Sequence, residues 1–305
     1  MSARTLGLVV NPTAGRGRGR AAGQRTATIL RAAGHAVVDL SAADAATALD
    51  AARAAVHAHT IDALVVVGGD GMVHLGANAV AGTDVPLGLV ATGTGNDAAR
   101  ELALPVRDVP AAVATLLDAL AHGRTRPLDA GLARTATGDR WFVGVLSAGL
   151  DAAVNARANT LTWPRGRARY VRAVALELAR FRPYGYRIVS DERTWDAPGT
   201  LVAVANGPAI GGGIRIAPTA AFDDGWLDVV LAAPFSRARV VTIFPGMYRG
   251  THLRVRGVHT FRTRAITLEA THAGAPPPHA FADGERLGPL PVRVEVVPGA
   301  LHLLA

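Results

Sequence analysis

The sequence predicts an α/β domain built on a mostly parallel, doubly wound sheet, followed by a second domain made mainly of β-strands. Three observations carry this. Short apolar runs alternate with helical stretches over the first 128 residues, the pattern of a parallel sheet with helices on both faces. Glycine-rich turns follow three of those runs, and ligands of open α/β sheets bind at the carboxyl ends of the strands. From Asp129 on, strand-like runs replace the alternation. At 305 residues the chain is long enough for two cores. The division is therefore set at 1–128 and 129–305, with the last strand free to return to the first domain.

Composition limits the chemistry. Half the residues are hydrophobic and 18% are charged, which suits a folded protein. Cysteine is absent, so disulfides, thiol nucleophiles and thiolate metal sites are excluded and a reducing cytoplasm is allowed. The net charge of +8 comes from arginine alone, since there is no lysine. A lysine-dependent phosphate loop is thereby ruled out, and a nucleotide must be held by amides, arginine, hydroxyls and metal. The basic excess favours anionic partners or is simply a solvated surface. No N-terminal signal is expected, because Met1 to Thr5 run directly into the first strand, and no apolar run approaches the roughly 20 residues of a membrane helix. The expectation is a cytoplasmic protein, peripheral to a membrane at most.

In chain order, strand Leu6–Val10 enters Asn11-Pro12-Thr13-Ala14-Gly15-Arg16, a loop offering consecutive amides and guanidinium groups to phosphate. An ordinary connection with a basic tip is the plainer alternative. A helix around Ala21–Ala33 and a strand at Ala36–Leu40 follow, then an alanine-rich helix over Ser41–His57 with Ser41 as its cap. Leu64–Val67 reads as a buried strand that breaks into Gly68-Gly69-Asp70-Gly71-Met72-Val73-His74, with helical sequence resuming at Val73. Asp70 faces a magnesium-bound nucleotide or a substrate hydroxyl, or else caps the helix. Strand Pro86–Val90 delivers Gly93-Thr94-Gly95-Asn96-Asp97, where Asn96 and Asp97 can fix ribose or base as well as cap. These turns are expected to converge on one crevice.

In the second half, strands are predicted at Trp141–Ser147, Gly185–Ser190, Leu201–Ala205, Leu227–Ala232, Ala265–Glu269 and Val292–Val297. One helix interrupts them between Arg167 and Phe181, with Val171, Val174, Ala175, Leu178 and Phe181 on one face and Arg165, Arg169 and Arg172 on another. Asn206–Gly213 is a glycine-rich turn. Asp223-Asp224-Gly225 is either a hairpin turn or an oxygen-rich cation site. Phe281-Ala282-Asp283-Gly284-Glu285 reads, on spacing alone, as a β-turn.

Four separated motifs give these pieces a common meaning: Asn11-Pro12 with Gly15; Gly68-Gly69-Asp70-Gly71; Gly93-Thr94-Gly95-Asn96-Asp97 with Arg100; and Asp283-Gly284-Glu285. In this order and spread over nearly the whole chain, they resemble the soluble bacterial diacylglycerol kinases, in the lipid kinase superfamily that holds sphingosine and ceramide kinases. Actinobacterial types look closest, including Trp163-Pro164-Arg165-Gly166-Arg167. The resemblance implies a first domain like those of phosphofructokinase and NAD kinase and a sandwich-like lipid domain.

It also implies an ATP-dependent lipid kinase, with diacylglycerol the leading acceptor and phosphatidic acid the product. The implied nucleotide set is Asn11 to Arg16, Ser41, Gly68 to His74, and Thr94 to Asp97. Asp224, with the backbone oxygens of Ala221 and Trp226, would ligate Mg2+. Asp70, Asp283 and Glu285 would form the catalytic set at an interdomain cleft that closes on its substrates, one of the last two being general base. Arg169 or Arg167 would reach that cleft. Thr160–Arg165 and Phe244–Arg249 are candidate membrane-docking segments, and pairing into a homodimer is allowed.

Two departures bear on the nucleotide site. Met72 stands where the family commonly has threonine, and His74 and Leu75 where asparagine and glutamate are frequent. A sphingosine- or ceramide-type kinase, an NAD kinase and a non-catalytic arginine-rich nucleotide or nucleic-acid binder are the competing readings. The third and fourth motifs favour a lipid kinase over NAD kinase, and no nucleic-acid partner is expected.

Overall fold

The computed structural model describes residues 3–163, 167–191 and 193–305, the side chains of Arg16 and Arg167 excepted. It divides into two compact units. The first comprises 1–130, 222–224 and 297–305; the second comprises 131–221 and 225–296.

In the first unit the order is β1 (Thr5–Val10), α1 (Ala14–Gly17), α2 (Gly19–Ala32), β2 (Ala36–Asp39), α3 (Ala45–His57), β3 (Ala63–Gly68), α4 (Asp70–Val80), β4 (Leu87–Ala91), α5 (Asp97–Glu101) and α6 (Val109–His122). The four strands pair in parallel in the order β2-β1-β3-β4. Covering both faces explains why Leu64–Val67 is apolar throughout. Val65 and Val67 pack with Leu30 of α2 and Leu116 and Leu120 of α6. Val66 points the other way, 3.2 Å from where a Cβ on Gly76 of α4 would lie.

Two helix starts differ from the sequence reading. Ser41 does not cap α3: the Asp44 side chain accepts from the Thr47 amide at 2.9 Å, and the Ser41 hydroxyl accepts from the Val10 amide at 2.9 Å. A carboxylate at the true cap position is preferred to a hydroxyl three residues upstream. Helix α4 begins at Asp70 rather than Val73, because Gly69 already supplies the extended backbone of a cap.

The remaining elements are β5 (Arg126–Thr135), β6 (Gly138–Phe142), β7 (Val145–Ser147), α7 (Leu150–Thr160), α8 (Arg167–Arg180), β8 (Tyr184–Ser190), β9 (Thr194–Gly199), β10 (Leu201–Ala205), β11 (Leu227–Ala232), α9 (Arg237–Met247), β12 (Val258–Thr263), β13 (Ala265–Ala270), β14 (Ala280–Ala282), β15 (Glu285–Gly288) and β16 (Val292–Leu303). Strands β5 and β16 each run from one unit into the other. In the first unit Leu303 of β16 pairs in parallel with Leu87. Asp129 secures two returning segments there: its amide donates to the Phe222 carbonyl at 2.6 Å and its carboxylate accepts from the Gly299 amide at 2.8 Å.

The second unit is a β-sandwich. One layer has the antiparallel order β16-β13-β8-β9, and the other has β12-β11-β10-β7-β14-β15. Phe142, Leu146, Ile188, Val204, Val229, Leu268 and Val294 fill its core. Tyr186 is buried among them, its hydroxyl donating to the Ala148 carbonyl at 2.5 Å. The predicted strand Trp141–Ser147 is broken at Val143-Gly144, and α7 and α9 join α8 where one helix was predicted. Helix α7 has little apolar asymmetry, which is why its sequence gives no clear period.

Asp151, in the first turn of α7, is the unusual buried group of this unit. Both carboxylate oxygens are shut off from solvent without a hydrogen bond of regular geometry. Burial pushes its pKa up to about 6, and the neighbouring Ser147 hydroxyl and helix amides offset only part of that. The folded state holds this proton more tightly than the unfolded chain, so stability falls as pH rises from about 4 to about 6 and is level above. Asp151→Asn is therefore expected to gain about 2–3 kcal/mol above pH 7 and almost nothing near pH 4. Urea unfolding of the two proteins across that range checks it.

Candidate functional site

Three turns meet at the carboxyl ends of β1, β3 and β4. After β1, the Asn11 amide donates to the Val67 carbonyl at 3.0 Å, and the Asn11 side chain accepts from the Thr13 amide and hydroxyl at 3.0 and 2.8 Å. This closes Asn11-Pro12-Thr13 into a compact turn with Ala14 and Gly15 buried behind it. After β3 and β4, the amides of Thr92 and Gly93 both donate to the Gly68 carbonyl, at 2.8 and 3.2 Å. The backbones then touch: a Cβ on Gly93 would lie 2.4 Å from the Gly69 Cα. Gly93→Ala is thus expected to part the two turns and cost about 1–3 kcal/mol, read as a lowered unfolding midpoint.

Asp70 ties this junction together. Its carboxylate accepts from the Asn96 amide at 2.8 Å and the Ala98 amide at 3.3 Å, so it caps the start of α5 from the first turn of α4. Burial, and secondarily the Asp97 charge, raise its pKa, while those amides oppose the rise. Asn96 takes left-handed φ at 59° and is 2% exposed. Its amide nitrogen donates to the Gly93 carbonyl at 3.0 Å, and its Oδ1 is buried without a partner. The Asp97 carboxylate pairs with Arg100 at 2.7 Å. Gly95 lies against Asp70, where an added Cβ would be 2.5 Å from Oδ2.

The remaining nucleotide candidates separate into backbone and side chain. Met72 and Val73 are buried, and Met72 packs beneath Gly68. His74 is buried beside Asn78, with Nε2 3.3 Å from Nδ2. These three side chains are buried, so the turn offers a ligand its backbone rather than the side chains of residues 72 to 74, and Gly69 caps α4 with no side-chain hydrogen bond. The α4 N-terminus with its backbone amides fits an oxyanion. Thr94 and Gly95 lie in the turn before α5, and Gly71 is exposed in the first turn of α4. Arg107, which no motif singles out, reaches back from a left-handed position to the carbonyls of Gly93 at 3.3 Å and Thr94 at 3.0 Å. The Arg16 side chain lies outside the described residues.

In the second unit the turn between β14 and β15 distinguishes its two carboxylates. Asp283 sits at left-handed φ of 52°, with Gly284 at 89°. The Asp283 carboxylate accepts from the amides of Val143 at 2.9 Å, Gly144 at 2.8 Å and Val145 at 3.3 Å. It fills the break in the predicted strand 141–147. Glu285, two residues on, pairs through its backbone with Ala282, while its exposed side chain makes no hydrogen bond among the described residues. One carboxylate is engaged by three backbone amides, and the other side chain is exposed.

Other candidates are placed as follows. Asn206 is buried and donates to the Val143 carbonyl at 2.7 Å, and Gly211 to Gly213 form a positive-φ turn closed by pairing of Ile210 with Ile214. Ala221, Asp224 and Trp226 lie on one short stretch before β11, not on a hairpin, and Asp223 pairs with Arg126 at 3.1 Å. Among the described residues no group of three or more His, Cys, Asp or Glu gathers as a metal cluster. The Arg169 Nε is buried without a partner. Pro164, Arg165 and Gly166 lie outside the described residues, as does the Arg167 side chain.

Residues 5–133 match the diacylglycerol kinase catalytic domain, and residues 144–305 match the YegS C-terminal NAD kinase beta sandwich-like domain. A diacylglycerol kinase of Mycobacterium tuberculosis is 37% identical over 298 residues, covering 97% of this chain and 93% of that one. The chain belongs to the diacylglycerol kinase family of lipid kinases. The Bacillus subtilis diacylglycerol kinase is 25% identical over 85% of this lipid kinase and 82% of its own length. A crystal structure of a diacylglycerol kinase from Bacillus anthracis strain Sterne shares its fold at a TM-score of 0.69 and 20% identity, covering 99% and 96% of the two chains. The fold extends to an Archaeoglobus fulgidus NAD kinase in complex with ATP, with a TM-score of 0.54 and 11% identity over 99% and 93%. Family membership favours lipid kinase over the NAD kinase and non-catalytic readings, and implies ATP as phosphate donor. Among the described residues no helix is long and apolar enough to cross a membrane.

Proposed function

We propose that this lipid kinase transfers the γ-phosphoryl group of ATP to the primary hydroxyl of diacylglycerol, giving phosphatidic acid and ADP. Supporting this most directly is the contrast within the Asp283-Gly284-Glu285 turn: three amides occupy Asp283, whereas Glu285 is exposed and unengaged. Glu285 is the general base. As the acceptor oxygen bonds to phosphorus and the bond to the β-phosphate oxygen breaks, the hydroxyl proton passes to the Glu285 carboxylate. Asp283 positions that turn.

The turns Asn11–Arg16, Gly68–His74 and Thr94–Asp97 hold the nucleotide, through backbone amides rather than through Met72, Val73 or His74 side chains. Ser41 supports the β1 end through the Val10 amide. Asp70 serves by keeping the second and third turns in register. Asp224, with the carbonyls of Ala221 and Trp226, is the proposed Mg2+ position; one carboxylate and two carbonyls are the all-oxygen donor set that this hard cation prefers. When bound there, Mg2+ would brace the 221–226 stretch as a structural ion, whereas neutralisation of phosphate charge would fall to magnesium carried with the nucleotide. Mg2+ is expected to raise the melting temperature of the parent protein and not of Asp224→Ala, a readout independent of turnover.

The enzyme acts in the cytoplasm as a peripheral visitor to the membrane surface. Trp163 is 71% exposed with Arg172 over its ring, Val171 on α8 is 70% exposed, and Tyr248 at the end of α9 is exposed next to Arg249. Basic and apolar groups together suit an anionic interface. The acceptor is tested by supplying ATP and Mg2+ with dioctanoylglycerol, ceramide, sphingosine or NAD in separate reactions. Phosphorylation of dioctanoylglycerol is the expected result; phosphorylation of another acceptor in its place overturns the assignment.

A further inference from the structure

The turn that carries Glu285 is held from behind by a two-step hydrogen-bond chain. Asn155, midway along α7, donates from Nδ2 to the Gly284 carbonyl at 3.0 Å. Its Oδ1 accepts from the hydroxyl of Tyr170 on α8 at 2.9 Å. The Gly284 carbonyl can only accept, so the amide nitrogen is the end that faces it, and this leaves Oδ1 to accept from the Tyr170 hydroxyl.

The location of the first bond matters. The Gly284 carbonyl belongs to the planar peptide unit that also contains the nitrogen and Cα of Glu285. Fixing that oxygen fixes the plane, and with it the direction in which the Glu285 side chain leaves the backbone. The turn needs such support, because Asp283 and Gly284 both have positive φ, an arrangement that costs a non-glycine residue energy and persists only where surroundings impose it. The Asp283 carboxylate anchors one side of the turn, and Asn155 anchors the other. Helices α7 and α8 are themselves joined by the Arg157–Glu177 ion pair at 2.6 Å, which holds Tyr170 over Asn155.

We infer that Asn155 is a positioning residue for Glu285, with the Tyr170 hydroxyl holding the far end of the Asn155 amide in place. This rests on Glu285 being the base, and it adds two residues that no motif in the sequence marks. A misplacement on the order of 1 Å at a reacting group costs about a hundredfold in rate. Asn155→Ala and Asn155→Asp are therefore expected to lower kcat about 10–100-fold, the aspartate by setting an oxygen against the Gly284 carbonyl, and Tyr170→Phe about 3–10-fold. KM for ATP is expected to change less than about twofold, since the proposed nucleotide turns make no hydrogen bond with Asn155 or Tyr170 among the described residues.

A double-mutant cycle separates positioning from general damage to the fold. Initial rates are measured with radiolabelled ATP and dioctanoylglycerol in mixed micelles, alongside melting temperatures, for Asn155→Ala, Asn155→Asp, Tyr170→Phe, Glu285→Gln and the Asn155→Ala/Glu285→Gln pair. The expected result is that Asn155→Ala slows the parent enzyme but not the Glu285→Gln enzyme, since there is no longer a base to misplace. Equal slowing in both backgrounds, or a parental kcat for Asn155→Ala, overturns the inference. If Asn155→Ala does not fold, Asn155→Asp and Tyr170→Phe take its place under the same criterion. A parental kcat for Glu285→Gln overturns the base assignment itself, an outcome distinct from the other two.

Discussion

Glu285→Gln is expected to slow lipid phosphorylation by about 10²–10⁴-fold, the range over which a positioned general base contributes. Its melting temperature and affinity for ATP are expected to match those of the parent protein, because the side chain is exposed and makes no hydrogen bond among the described residues. Asp283→Asn is the informative contrast. Its carboxylate accepts from three successive amides, and hydrogen bonds to a charged group are worth about 1.5–3 kcal/mol each. An asparagine oxygen cannot replace both carboxylate oxygens, so this variant is expected to lose stability and, through the displaced turn, activity as well. Two acids separated by one glycine should thus fail in different ways, visible by thermal unfolding and rate measurements on the same preparations.

Asp70→Ala is expected to have the second largest effect, and on the nucleotide side. Removing the carboxylate strands the amides of Asn96 and Ala98, at about 1–3 kcal/mol for a buried donor left unpaired. It also releases the turn that Gly93 presses against Gly69. ATP affinity is expected to fall at least about tenfold, the equivalent of 1.4 kcal/mol, with faster hydrogen exchange at the amides of Asn96 and Ala98. Asp70→Asn retains one acceptor and should lie between the two. Calorimetry of ATP binding and exchange measurements check both. Unchanged affinity and unchanged exchange would show that Asp70 holds nothing together.

The first unit was readable because its strands are buried on both faces and end in glycine. Leu64–Val67 announces itself as an uninterrupted apolar run, and Gly68 to Gly71 mark where it stops. The role of Asp70 was harder to read, since its partners lie 26 and 28 residues ahead and only the third dimension brings them together. Arg107 shares that difficulty, having no local motif and two backbone carbonyls as partners. Ser41 misled because a hydroxyl ahead of an alanine-rich stretch looks like a cap, whereas Asp44 stands closer to the helix. In the sandwich, α7 and α9 lack a clean apolar period that would mark them in sequence, and Pro245 lies inside α9. The motif Asp283-Gly284-Glu285 was visible from the start, but equivalence of its two acids in sequence concealed their different surroundings.

The most direct test of the central claim, that Glu285 takes the proton of a lipid hydroxyl while a separately intact site holds ATP, is one labelling experiment. Parent protein and Glu285→Gln are each incubated with radiolabelled ATP, Mg2+ and a total lipid extract supplemented with diacylglycerol, and ATP binding is measured on the same samples. The expected result is label in phosphatidic acid with the parent protein, loss of that label with Glu285→Gln, and equal ATP binding by both. Label appearing equally with both proteins, or in no lipid at all despite bound ATP, would contradict it.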